Sequence, residues 1–284
     1  MAEVRSPTPT LRRRELGALL RARRQDMGLT VEQVAERLLC STSKVSRMET
    51  GQRGATQRDV RDLCTLYGIT DAAECERLMT LAKEGKQQAW WQPYDLPYAT
   101  YVGLEAAAAT IKDYDSGVVP GLLQTPDYTR ARHEGYMPRL GAAEIERRVE
   151  VTTTRQGVLA AEHAPHFWSI LDEAVLHRVV GDPGIMRAQL DRLIEASSKP
   201  GVTIQVIPYT VGVHPALDSV FTIVEFDGGV PGVVYVEGLV GSIYLERPED
   251  LNRYLQVFDR LSTVALSPED SVALIQKVRT EHAR

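Results

Sequence analysis

The spacing of apolar residues divides the chain into a helical head and a mixed body. Over residues 11–27, Leu16, Leu19 and Leu20 form one apolar face, and Arg12, Arg13, Arg14, Arg21, Arg23 and Arg24 surround it, the pattern of an amphipathic helix. Gly28 suits the left-handed position that ends many helices. Thr30 and Gln33 then have capping-box spacing, each side chain able to satisfy a free backbone N–H of a second helix. That helix runs to about Leu38, with Val34, Ala35 and Leu38 inward. Ser41 is an N-cap for a third helix and Gly51 a stop for it. Val45 and Met48 face inward, which leaves Thr42, Ser43, Lys44, Ser46 and Arg47 outside. A second capping signal at Thr56 opens a fourth helix carrying Val60, Leu63 and Leu66 inward, and Asp71 caps a fifth through about Lys83. Two helices joined by a short turn, the second with a polar outer face, make a helix-turn-helix.

Residues 84–98 break this rhythm. They mix polar residues, two prolines and the adjacent Trp90 and Trp91. A free tether rarely holds two tryptophans, so this linker is expected to dock on the body, although an aromatic pair can also bind a ligand. Beyond it, residues 103–114 read as an Ala-rich helix, Thr125 caps a helix that Pro126 opens, and 142–161 is a long helix. Strand patterns follow at 166–171 and 202–208, with an amphipathic helix at 183–196 between them, which predicts a right-handed parallel crossover. Residues 220–226 and 233–237 flank Asp227-Gly228-Gly229 as a hairpin, 242–245 add a further strand, and helices over 248–263 and 268–280 close the chain. The expected fold is an all-α, five-helix N-terminal domain over 1–83, a linker over 84–98, and an α+β C-terminal domain over 99–284 with a mixed sheet of four to five strands.

Charge adds a division of labour. The 284 residues carry a net charge of −5, but the first 58 hold 12 basic and 6 acidic residues, a balance of +6. The other 226 hold 21 basic and 32 acidic residues, a balance of −11. A basic head on an acidic body is expected to meet phosphate with the head alone. No apolar run approaches the roughly 20 residues that span a membrane, and no apolar segment follows the N-terminal arginines as in a secretory leader. Cys40, Cys64 and Cys75 are an odd number with no metal-ligand spacing, and read as buried thiols of a cytoplasmic protein.

The outer face of the third helix carries the clearest chemistry. Thr42, Ser43, Lys44, Ser46 and Arg47 put short donors and acceptors and two cations on one surface at a helix N-terminus, which is what recognition helices offer to base edges in the major groove. Glu49 is expected to pair with an arginine of the first helix. Catalytic patterns are weaker. His163 and His166 are interrupted by Pro165, with no Cys or Asp to complete a ligand set. Asp172, Glu173 and His177 follow a strand, where α/β active sites sit, but acidic residues also favour a helix start. Ser197, Ser198 and Ser219, the last after His214 and Asp218, lack the Gly-x-Ser-x-Gly elbow. No phosphate-cradling Gly-Lys-Ser/Thr loop occurs, and "DGGVPG" reads as a turn. The chain is expected to be no enzyme and to need no metal or cofactor.

The stretch "GLTVEQVAERLLCSTSKVSRMETGQRGATQRDVRDLCTLYGI" resembles the lambda-repressor-like, xenobiotic-response-element (XRE) family of transcriptional regulators. The resemblance implies base or groove contacts from Thr42, Ser43, Lys44, Ser46 and Arg47, and phosphate contacts from Thr30, Gln33 and Arg53 on double-stranded DNA. Two positions depart from the family: Val31 stands where a Gln usually opens the second helix, and Leu39 where the turn usually has Gly. A left-handed leucine costs about 1–2 kcal/mol, so the turn is expected to relax into another shape. The segments "YVGLEAAA", "VVPGLLQTPDY", "LDEAVLHRVVG", "VTIQVIPY" and "VYVEG" resemble the domain of unknown function that follows this helix-turn-helix in many actinobacterial regulators. That resemblance implies a body that senses or assembles and a toxin–antitoxin-like arrangement with a small partner protein encoded next door. A homodimer is expected separately, because one recognition helix reads only a short half-site.

Overall fold

The computed structural model describes residues 8–136, 140–239 and 241–282. The chain divides into two compact units, Met1–Ala107 and Ala108–Arg284.

The first unit contains α1 (Pro9–Asp26), α2 (Val31–Arg37), α3 (Thr42–Glu49), α4 (Gln57–Leu66), α5 (Ala72–Glu84) and α6 (Ala99–Glu105). The caps that delimit α2 to α5 form as the sequence predicts. Thr30 with Gln33 and Thr56 with Asp59 are both reciprocal capping boxes, and Ser41 and Asp71 accept from the first turns of α3 and α5. Gly28 and Gly51 take positive φ where the helices stop. The apolar faces meet in one core built on Leu16, Leu20, Val34, Val45, Met48, Val60, Leu63, Leu78 and Leu81. Cys64 and Cys75 lie in this core region, and burial together with a bond to Cys75 pushes the Cys64 thiol up to about 12. A thiol so far from ionising is a poor nucleophile.

The aromatic segment after α5 packs against α6, which the sequence counts with the body (99–284) and the contacts group with the first unit. Trp91 is buried with Ala89 and Val102, the last of these in α6. Thr8, the N-cap of α1, donates to the carbonyl of Gly103, and a Cβ at Gly103 would stand 2.1 Å from the Thr10 hydroxyl oxygen. Gly103 is therefore the point where α6 and the start of α1 come together.

The second unit is α+β. Its elements are β1 (Thr110–Asp115), α7 (Pro126–Tyr136), α8 (Ala142–Gln156), β2 (His166–Asp172), α9 (Ala174–His177), α10 (Pro183–Ser197), β3 (Val202–Ile207), β4 (Phe221–Glu225), β5 (Val233–Glu237), β6 (Ser242–Leu245), α11 (Pro248–Val264) and α12 (Pro268–Glu281). The sheet has six strands in the order β3-β2-β1-β4-β5-β6. β1, β2 and β3 run parallel, while β4, β5 and β6 add antiparallel pairs. The mixed sheet is as read, with one strand more. The added strand is β1, which corrects the helix expected over 103–114. Four alanines at 106–109 extend a helical composition past the end of α6, but Ala109 already bonds both neighbouring strands, donating to Glu225 and accepting from His166. Ile111 and Tyr114 of β1 are buried.

Register sorts the two faces of the sheet. Ile223, Val234 and Leu245 are cross-strand neighbours, and they pack with Phe258 and Leu261 of α11. The other face carries Asp113, Thr222, Tyr235 and Tyr244 in one row, with the Thr222 hydroxyl donating to Asp113.

One half-buried base in this unit sets a pH response. Burial, and then Arg132 and Arg148, push His133 of α7 from 6.5 down to about 4. The unfolded chain then binds a proton more readily than the folded one, so stability falls as pH drops from about 6.5 towards about 4. Thermal melts of His133→Gln are expected to show a shallower loss across that window than wild type. Parallel pH profiles would show that His133 is not the group responsible.

Candidate nucleic-acid interface

Ser41 holds the first turn of α3 by accepting from the Lys44 N–H at 3.2 Å. Val45 and Met48 then bury one side of the helix, which turns Thr42, Ser43, Ser46 and Arg47 to solvent. Arg47 donates from Nε to the Ser43 carbonyl at 3.3 Å within its own helix. Of the eight residues that the sequence singles out, α3 brings five onto one helix. Thr30 and Gln33 stand exposed at the start of α2 and are engaged with each other in the capping box. Arg53 is exposed just beyond α3, and its N–H donates to the Arg47 carbonyl at 2.9 Å. Arg37, at the last turn of α2, and Gln57 and Arg58, at the first turn of α4, are also exposed polar groups, and the sequence reading passed over them.

Lys44 differs from its neighbours. Its ammonium lies 2.5 Å from Oδ1 of Asp59, and the two side chains retain 24% and 13% of their exposure. The other carboxylate oxygen of Asp59 accepts from both the backbone N–H and the hydroxyl of Thr56. Burial alone would raise this carboxyl, but the bonds from Lys44 and Thr56 outweigh it and hold Asp59 below its ordinary value.

The opposite end of α3 is tied down as well. Glu49 accepts from Nε and Nη2 of Arg24 at 2.6 and 2.9 Å, and the third guanidinium nitrogen donates to the Leu29 carbonyl at 2.8 Å. This is the helix 1 arginine expected for Glu49, and the geometry is the bidentate fork of a strong pair. α1 and α3 also touch closely at Gly17, where a Cβ would stand 2.5 Å from the Met48 carbonyl oxygen.

The two departures from the family pattern resolve differently. Val31 packs against the core of the unit as its side chain requires. Leu39 takes φ +51 with 94% of its surface exposed, so the turn keeps its left-handed shape and does not relax. Leu39→Gly is expected to stabilise the unit by about 1 kcal/mol, the relief of a left-handed side chain less the added freedom of the unfolded chain. A rise in the urea midpoint checks this. A fall would show that the exposed leucine makes a stabilising contact.

Three residues of the weaker catalytic patterns, Asp172, Glu173 and His214, make hydrogen bonds or close polar contacts within the body. Asp172 accepts from the Ala174 N–H, and Glu173 accepts from the Tyr209 N–H, which closes the turn after β2. His214 is buried between Asp172, at 3.6 Å, and the Tyr114 hydroxyl, at 3.4 Å. Among the described residues no group of three or more His, Cys, Asp or Glu is arranged to hold a metal ion, and no helix is long and apolar enough to cross a membrane.

Comparison with known families finds a separate match for each part of the chain. Residues 15–78 match a helix-turn-helix domain, a span that starts in α1 and ends in α5. Residues 98–277 match a domain of unknown function, DUF5753. No curated protein and no solved structure matches the chain. The second match covers more than half of the sequence, and the protein belongs to the DUF5753 family, with a helix-turn-helix domain ahead of the family domain.

Proposed function

We propose that the protein is a sequence-specific DNA-binding transcriptional regulator of the lambda-repressor-like type, working in the cytoplasm. The observation that carries this reading is a capped, exposed, polar α3 inside the segment that matches a helix-turn-helix domain. In it, residues 42–47 enter the major groove, while Thr30, Gln33 and Arg53 meet phosphates. Phosphate contacts set affinity and salt dependence, and base contacts set sequence choice.

The test is Arg47→Ala on DNA selected by the wild-type protein. It is expected to lose about 1–3 kcal/mol on the selected site and much less on random duplex. An equal loss on both would give Arg47 a phosphate role. Wild-type affinity that stays flat between about 50 and 200 mM salt would remove the DNA-binding reading altogether.

In this reading the protein acts as a homodimer, because one recognition helix reads only a short half-site and two half-sites lie about 34 Å apart. The body supplies the dimer contact and senses a ligand or partner. Val213, Leu239 and Ile243 are large apolar side chains exposed on the body, which supports a protein partner there. They equally favour a second reading, an antitoxin-like protein that binds a small neighbour-encoded protein and regulates its own operon. Co-purification of that neighbour with the body separates the two.

A further inference from the structure

We infer that Lys44 is a positioning residue which braces the recognition helix against α4, and that Arg47 is the cation of α3 that meets a base. This rests on the DNA-binding reading above and adds what the operator must contain.

The geometry gives Lys44 a partner before any DNA arrives. Its ammonium is 2.5 Å from Asp59. Asp59 is in turn the N3 residue of the α4 capping box, with its second oxygen on Thr56. One carboxylate therefore joins the third residue of α3 to the first turn of α4. Reaching a base with Lys44 would strip the cation from a largely buried carboxylate at a surface facing phosphates. Both the lost pairing and the exposed like charge oppose that move.

Arg47 is placed the other way. It is exposed, and its Nε bond to the Ser43 carbonyl holds the side chain along its own helix. The two terminal nitrogens then remain for the two acceptors of a guanine edge, the commonest specific contact in the major groove. Thr42, Ser43 and Ser46 offer hydroxyls, which pair with several bases and discriminate less. Each half-site should then contain one strongly required guanine, with looser preferences beside it.

The experiment selects preferred duplexes from a random pool with the full-length wild type, Lys44→Met, Asp59→Asn and the double variant, and measures their affinities. Thermal melts and a Lys44→Arg variant, which keeps the pair, separate loss of fold from loss of positioning. If Lys44 is a brace, Lys44→Met and Asp59→Asn each weaken binding by a similar factor of about ten. The double variant is then no weaker than either single one, Lys44→Arg binds like wild type, and the base preferences are unchanged at every position. Arg47→Ala alone erases the preference for guanine. If Lys44 reads a base, Lys44→Met flattens the preference at one position, and Asp59→Asn tightens binding by releasing the cation. Either result overturns the inference and leaves the DNA-binding reading standing. A wild type that selects no sequence defeats that reading, and the inference with it.

Discussion

Glu49→Ala is expected to destabilise the first unit by about 3–5 kcal/mol, the loss that follows when one partner of a buried ion pair is removed. The side chains of Arg24 and Glu49 keep only 11% and 6% of their exposure. Truncating Glu49 leaves a guanidinium with two donors unmet, and its third nitrogen is still held by the Leu29 carbonyl, so the charge cannot easily swing out to water. The cost is therefore mainly that of the stranded cation, and the attraction of the pair is the smaller part. It follows that Arg24→Met with Glu49→Leu should recover most of the loss, because apolar groups of similar size leave nothing unpaired. Urea unfolding of the full chain, followed through the transition of the first unit, reads both. A cost below about 1 kcal/mol for Glu49→Ala would mean that the pair behaves as a surface contact.

Gly17→Ala should go against the usual helix rule. Alanine in place of glycine within a helix normally adds up to about 1 kcal/mol. Here the new Cβ would stand 2.5 Å from the Met48 carbonyl oxygen and 2.6 Å from that of Glu49. These are backbone atoms at the end of α3, and the Met48 carbonyl is held by the Gly51 N–H at 3.2 Å. No side chain can turn away, so α1 and α3 must separate. A loss of about 3 kcal/mol is expected, at the upper end for overpacking. If α3 is the element that enters the groove, as proposed, DNA affinity should fall by more than the stability loss explains. A stabilised Gly17→Ala would show that α1 and α3 have room between them.

The head was legible in the sequence because its signals are local. A cap such as Thr30 with Gln33, or a stop such as Gly28 or Gly51, is written within four residues of the feature it makes. The apolar period then decides which face turns inward. The candidate site was legible to the same extent: α3 and its outer residues follow from Ser41, Val45, Met48 and Gly51. What escaped lies between elements. Lys44 is recognisable as a surface cation, but nothing in residues 42–47 says that Asp59 already holds it. The partner of Trp91 depends on how α6 returns to the start of α1, which no periodicity records. β1 was hidden because alanines favour helix by composition, while a strand at the centre of a sheet is fixed by its neighbours. Leu39 shows the opposite limit. Its local preference was read correctly, and the fold overrides it.

The ion pairs at the two ends of α3 bear on how this protein could change its targets. Glu49 is tied to α1 and Lys44 to α4, so the pose of the helix is set by residues other than the four that face solvent. Thr42, Ser43, Ser46 and Arg47 lie between those anchors on the solvent side. Substitutions there leave the frame in place. On the proposed DNA-binding reading, a gene duplicate of this protein could drift to a new operator through those four codons alone, without touching the residues that hold the helix.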